Sequence, residues 1–321
     1  MDITSIGIIL VDMFPSQVGM PLVEVPAFMP MPGGAPANVA VAAQRLGSST
    51  AFIGKVGQDL FGQWLKNILD REGVNTQGMV FDDYARTSLV FIGMPDAHKA
   101  EFLFYRNPGA DMRLRKEDLS LQLLERTKVL HFDSLSLTHD TYRDATLNAI
   151  ETVKKHGGII SYDVNYRPTM WNSPDSAIKA AQDILEFCDV IKVNETEMRL
   201  LTGENGYVSG GQALLKRAGK LCLITLGDIG SYYITHYKFG FIPAYKVNTI
   251  DSIGCGDSFL GAVLNQITQY DSLDKAIHPD NIENILRFAS AAGALTSLAR
   301  GALPALPYKN DVLTFLSALQ E

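Results

Sequence analysis

A chain of 321 residues with 46% hydrophobic content can bury a large core, as one large α/β domain or two smaller ones, and 35 acidic against 28 basic residues leave it at a formal charge of -7. No run rich in Lys and Arg appears, which argues against nucleic acid as a partner. Cys188, Cys222 and Cys255 fit neither a disulfide framework nor a zinc spacing, no basic stretch opens the chain as in a secretory signal, and no segment reaches the roughly 18 apolar residues of a membrane span, so a cytoplasmic protein without a membrane partner is expected.

Ile6–Val11 reads as a buried first strand, followed directly by Asp12. Residues 13–32 are rich in Met and Pro and cannot be helical throughout. Gly33-Gly34-Ala35-Pro36-Ala37-Asn38 opens a helix over Ala37–Leu46, where Asn38 can both donate to and accept from a polyol. A strand at Thr50–Val56 and a helix at Phe61–Glu72, stopped by Gly73, follow. Residues 86–106 read as a hairpin, with strands Thr87–Met94 and Glu101–Arg106 about a polar turn at Pro95–Lys99. Its strands are apolar on both faces, Leu89 and Phe91 against Val90 and Ile92. Such a hairpin either folds onto its own domain, or closes over a ligand with one face and packs on a second subunit with the other.

Beyond it, strands at Val129–Phe132, Ile159–Val164, Val190–Val193 and Leu221–Leu226 alternate with helices at Thr141–Lys155, Glu195–Thr202 and Ile282–Ser297. This rhythm predicts an α/β fold with a mostly parallel central sheet and helices on both faces. In such a sheet ligands gather past the carboxyl ends of strands. Polar groups recur there: Asp12, Asn38, Asp163 with Asn165 and Arg167, Asn194 with Glu197, and the turn Thr225-Leu-Gly227-Asp-Ile-Gly230. Each also has an ordinary reading, Asp12 as a turn cap, Arg167 as a solvated charge and Asn194 as a helix N-cap.

The most informative stretch is Asp251-Ser-Ile-Gly254-Cys255-Gly256-Asp257, which runs into an apolar pattern at helical spacing from Phe259 to Ile267. Glycines permit a tight turn, and the first turn of a helix offers unpaired N–H groups to anions. A carboxylate beside that cradle can accept the proton of an attacking hydroxyl during phosphoryl transfer. The string also fits a plain turn into a helix. Walker-type and Gly-x-Gly-x-x-Gly fingerprints are absent, which argues against a P-loop enzyme and a dinucleotide dehydrogenase.

With both glycine segments in order, the chain resembles the ribokinase-like (PfkB) carbohydrate kinases over essentially its whole length, and is most similar to fructokinases. Gly33 to Ala42 resembles the family's N-terminal signature and Asp251 to Asp257 its C-terminal one. Tyr105 to Asp111, Asp163 to Pro168, Asn194 to Glu197 and Arg300 to Pro307 are similar to further fructokinase segments. The resemblance implies a core of 1–12, 33–85 and 107–321 beneath a small β lid of 13–32 and 86–106.

It further implies ATP-dependent phosphorylation of fructose to fructose 6-phosphate, with Asp257 as base, amides of Gly254, Cys255 and Gly256 on the phosphoryl group, and Arg167 near the phosphates. Asp12, Gly33, Gly34, Asn38, Arg106 and Asn165 would hold the sugar. Asn194, Thr225, Gly227, Gly230, Gly254 and Gly256 would border the nucleotide, and Glu197 would arrange Mg²⁺ through water. A monovalent cation such as K⁺ would rest among Asp251, Ile253, Thr296, Ala299 and Gly301. Alternatives are a kinase for another sugar or sugar acid (2-keto-3-deoxygluconate, ribose or a nucleoside), served by Lys99 or Arg106, and a non-catalytic sugar-sensing protein. A homodimer through the lid is expected. Cys255 and Ser252 depart from the family's usual alanine and threonine. Cys255 is either a compact filler or a thiol activated by the helix N-terminus.

Overall fold

The computed structural model describes residues 1–96, 99–216 and 219–319. Its strands are β1 (Ile3–Ile6), β2 (Leu10–Pro15), β3 (Phe28–Gly33), β4 (Thr50–Gly57), β5 (Asn75–Asp82), β6 (Leu89–Asp96), β7 (Lys99–Tyr105), β8 (Val129–Asp133), β9 (Ile159–Asp163), β10 (Val190–Asn194), β11 (Leu221–Thr225), β12 (Gly230–Thr235) and β13 (Phe239–Pro243). Among the described residues they form a nine-stranded sheet in the order β13-β12-β11-β10-β9-β8-β1-β4-β5 and a four-stranded sheet in the order β3-β2-β6-β7. From β5 across to β11 every pairing in the large sheet is parallel, and β12 and β13 extend it antiparallel.

Side chains alternate between the faces of a strand, and the apolar runs are buried on both. Leu130, Phe132, Ile160, Tyr162, Ile191 and Val193 fill one core. Val129, Val190, Leu221 and Leu223 point the other way, onto the helices Ala35–Arg45, Cys255–Ile267 and Ile282–Thr296. Leu260, Val263 and Leu264 of the middle helix are fully buried, and each contributes roughly 1.5–3 kcal/mol. That packing fixes the glycine turn preceding the helix.

The expected strand Ile6–Val11 is divided. β1 ends at Ile6 in the large sheet, and β2 starts at Leu10 in the small one, carrying Asp12 within it. An apolar run cannot register the change of sheet, because Ile8 and Leu10 join one buried cluster and Ile9 and Val11 another. Met13–Pro15 complete β2, Leu22–Glu24 make a 3-10 turn and Phe28–Gly33 form β3, so residues 13–32 are not helical throughout. The hairpin is present as β6 and β7, with the centre of its polar turn, residues 97–98, and the side chain of Lys99 outside the described residues. Val90 and Ile92 face inward with Ile8, Leu10 and Leu135, while Leu89 packs on the core beside Leu65 and Leu69. Leu103 and Tyr105 remain 47% and 62% exposed. No helix among the described residues is long and apolar enough to cross a membrane.

Candidate active site

Gly254 caps the helix Cys255–Ile267 at φ 82°, a left-handed turn that L side chains avoid, and a Cβ there would lie 2.8 Å from Ala302. Asp251 ties the turn down: its Oδ1 accepts from the Ile253 N–H at 3.0 Å and its Oδ2 from the Gly301 N–H at 2.9 Å. Two cavities of about 370 Å³ each meet at this turn, and Thr225, Ser252 and Gly256 border both. One is lined by Gly227, Gly230, Cys255, Phe259 and Gly293. The other brings together Asp12, Gly34, Asn38, Asn165, Arg167 and Asp257.

In the second cavity Asp257 accepts a hydrogen bond from Asn38 Nδ2 at 2.8 Å. Burial pushes its carboxyl up to about 6, against the opposing pull of that bond and of Lys192. Asp12 reaches in from the small sheet with no hydrogen-bond partner among the described residues. Burial, then the Asp257 charge, pushes it up to about 7, and Arg167 opposes them. A Cβ on Gly33 would fall 1.9 Å from Asp12 Oδ2, so any side chain there would push the Asp12 carboxylate from its place in the cavity. Asn165 takes a positive φ of 39° at the end of β9, with its backbone N–H bonded to Asp163 Oδ1 at 3.2 Å and its Nδ2 to Asp133 Oδ2 at 3.0 Å. Such strain is held only where neighbours over-determine it. The Arg167 guanidinium lies 5.9 Å from the Phe102 ring centroid, so it links the floor of the cavity to the small sheet.

Arg106 stands apart. It does not line the cavity: its Nε donates to Asp111 Oδ2 at 2.6 Å, and its other nitrogens to Thr138 Oγ1 at 3.2 Å and the Leu135 carbonyl at 3.3 Å. Asn194 is a helix N-cap, paired reciprocally with Glu197 at 2.8 Å in both directions. Glu197 also accepts from the Tyr166 N–H at 2.8 Å, which leaves its carboxylate free lone pairs for water. Among the described residues no cluster of three His, Cys, Asp or Glu is arranged to hold a metal. The free lone pairs of Glu197 are what a magnesium ion that keeps much of its hydration shell would need, held through water.

The segments assigned to a monovalent cation are bonded together, with the Asp251 N–H on the Ser297 carbonyl at 3.2 Å besides the Gly301 contact. Burial, then Asp251 and Asp257, push the Cys255 thiol up to about 12, against the pull of its backbone hydrogen bond. Several groups carry no turn signal in the sequence: Lys192 and the wall formed by Ala244–Val247 and Thr249, which line the cavities, and Asp133, buried behind them and bonded to Asn165. The small residues Ser290, Gly293, Ala294 and Ser297 could have been found from their helical spacing on one face.

A family model described as pfkB family carbohydrate kinase matches residues 1–309. Fructokinase-2 of Solanum lycopersicum is 42% identical over 317 residues, 98% of this chain and 95% of that protein. The fructokinase of Xylella fastidiosa, solved with bound ATP, superposes with a TM-score of 0.89 at 30% identity and covers 100% of this chain and 99% of its own. A fructokinase double mutant of Vibrio cholerae O395, solved in a fructose-, ADP- and potassium-bound form, gives 0.88 at 31% identity, with 98% and 97% coverage. Full-length similarity of sequence and fold, around two cavities that share one glycine-rich turn, makes the chain a member of the pfkB carbohydrate kinase family and an ATP-dependent sugar kinase.

Proposed function

We propose that this kinase phosphorylates fructose at the hydroxymethyl of carbon 6. The observation that carries the reading is the meeting of the two cavities at the turn before Asp257, with a polyol-binding set on one side and glycine-rich walls on the other. Asp12, Asn38 and Asn165 orient the sugar hydroxyls, Gly33 gives Asp12 room, and Gly34 brings the backbone of the cavity wall close to Ile8. The attacking oxygen faces Asp257, which takes its proton late, as a loose transition state allows. Amides of Gly254, Cys255 and Gly256, with Arg167, oppose the charge of the transferring group. Thr225, Gly227 and Gly230 border the nucleotide. Magnesium, held through water by Glu197, would draw charge from the phosphate oxygens, and a monovalent ion such as K⁺ among Asp251, Ile253, Thr296, Ala299 and Gly301 would stiffen the turn.

The small sheet, residues 13–32 and 86–106, acts as a lid that keeps water from competing as acceptor. Exposed Leu103 and Tyr105 on its outer face support a homodimer through the lid, which sedimentation at micromolar concentration tests. Unpaired cysteines fit a reducing cytoplasm. A sugar acid is a weaker substrate reading, because the Arg106 guanidinium is consumed by Asp111. ADP release measured across a panel of fructose, other sugars, sugar acids and nucleosides tests the assignment. Turnover with fructose supports it; activity confined to another class, or sugar binding without turnover, overturns it.

A further inference from the structure

One buried carboxylate has no part in the roles given above. Asp133 ends β8, is fully buried and lines neither of the two cavities at the glycine turn. Its Oδ1 accepts from the Leu135 N–H at 3.1 Å and so caps the 3-10 turn Ser134–Leu137. Its Oδ2 accepts from Asn165 Nδ2 at 3.0 Å. Asn165 lines the cavity that holds Asp12, Asn38 and Asp257, and its backbone N–H is tied to Asp163. A carboxylate only accepts, so it selects the nitrogen of the Asn165 amide and not the oxygen. The amide is planar with its two polar atoms on opposite branches. With the nitrogen turned back to Asp133, Oδ1 is left forward, and no donor binds it among the described residues. Asn38 repeats the arrangement: its Nδ2 is spent on Asp257, and its Oδ1 is buried without a partner. Together with Asp12 once ionised, the cavity offers its ligand acceptors on three side chains.

We infer that Asp133 is a positioning residue that sets sugar specificity: it holds the Asn165 amide with its oxygen toward the ligand, so that the site reads one particular hydroxyl as a hydrogen-bond donor. The inference rests on the fructose reading of this site. An Asn165 amide free to turn over would present a nitrogen as readily as an oxygen, and the cavity would then also take a group that cannot donate there. The competing role is a structural one, in which Asp133 serves the turn Ser134–Leu137 alone.

Fluorine in place of a hydroxyl separates the two roles, because it fills a similar space and donates nothing. Full-length wild type, Asp133→Asn and Asp133→Ser would be assayed for ADP release on fructose and on its deoxyfluoro analogues at carbons 1, 3 and 4. The assay is run at pH 8, above the value of about 6 to which burial lifts Asp133. Asparagine matches the carboxylate in shape but donates as well as accepts. Serine keeps an acceptor for the Leu135 N–H without the reach to Asn165. In the wild type, fluorine should raise KM roughly tenfold or more at the carbon whose hydroxyl Asn165 accepts. In both variants the fructose KM should rise roughly 5- to 30-fold, with kcat and the KM for ATP within about threefold of wild type. The fluorine penalty at that one carbon should fall below about threefold, while penalties read by Asp12 and Asn38 remain. If Asp133→Asn does not fold, Asp133→Ser is read alone. Fluorine penalties unchanged at every carbon, or kcat and both KM values worsening together, would show a role in the turn alone and overturn the inference. A wild type that turns over no fructose removes the fructose reading, and this inference with it.

Discussion

Replacing Asp12 with asparagine should make the ligand-free protein more stable at neutral pH while abolishing tight sugar binding. In the fold, burial and the nearby Asp257 charge lift the Asp12 carboxyl from 3.8 to about 7. The native state therefore holds a proton that the unfolded chain has lost, and stability falls as pH rises from about 4 through about 7, the reverse of a salt-bridged aspartate. A displacement of that size corresponds to roughly 4 kcal/mol at full ionisation, and water in the open cavity screens it to about 1–3 kcal/mol. An amide side chain cannot ionise, so the Asp12→Asn variant should melt about 2–6 °C above wild type at pH 8, with a gap that shrinks towards pH 5. Thermal unfolding at pH 5, 6.5 and 8 measures the gap, and fructose titration measures the lost affinity. A gap that is absent or independent of pH would refute the charge crowding argued here.

Asp257→Ala should lower kcat by about two orders of magnitude or more while sparing ADP affinity, and wild-type kcat/KM should fall below pH of about 6 as the base protonates. Near-normal turnover in that variant would remove the base assignment. Arg106→Met should destabilise the fold by about 3–5 kcal/mol, because it strands Asp111 as a buried unpaired charge. Chemical denaturation checks this, and a well-folded variant with only a raised fructose KM would return Arg106 to the sugar. Cys255 should react with iodoacetamide at pH 7.5 far more slowly than free cysteine, as its thiol stands at about 12. Mass spectrometry of the timed digest decides it, and rapid labelling blocked by ATP would count against the raised thiol.

The strands β8 to β11 were legible because parallel strands buried on both faces read as short continuous apolar runs. The same property misled at Ile6–Val11, where burial on both sides continues while the chain passes from one sheet to the other. β13 escaped notice because an edge strand leaves most of its side chains open to solvent, with Phe239 and Phe241 at 56% and 39%. In the site, Asp12, Asn38 and Asp257 stand next to turns and glycines, where sequence carries a signal. Lys192 and Asp133 sit inside apolar strands, and nothing local marks a charge that matters only through its neighbours. Arg106 entered as a sugar ligand through the resemblance alone, and no local signal shows that Asp111, five positions on, takes its guanidinium.

The charge inventory of the site divides its labour. Asp12, Asp133, Asp163, Glu197 and Asp257 converge on or behind one cavity, with Lys192 and Arg167 as the cations beside them. An excess of buried carboxylates is costly, and its trace is the raised Asp12, Asp133 and Asp257. Such a surface suits a neutral ligand rich in hydroxyl donors and rejects a second carboxylate, which would add repulsion in a poorly solvated space. The anion must then be held elsewhere, by the amides of the turn and the Arg167 guanidinium. Sugar on the acidic side and phosphate on the amide side would meet across the residues the two cavities share, Thr225, Ser252 and Gly256, and Asp257 stands next to the last of these.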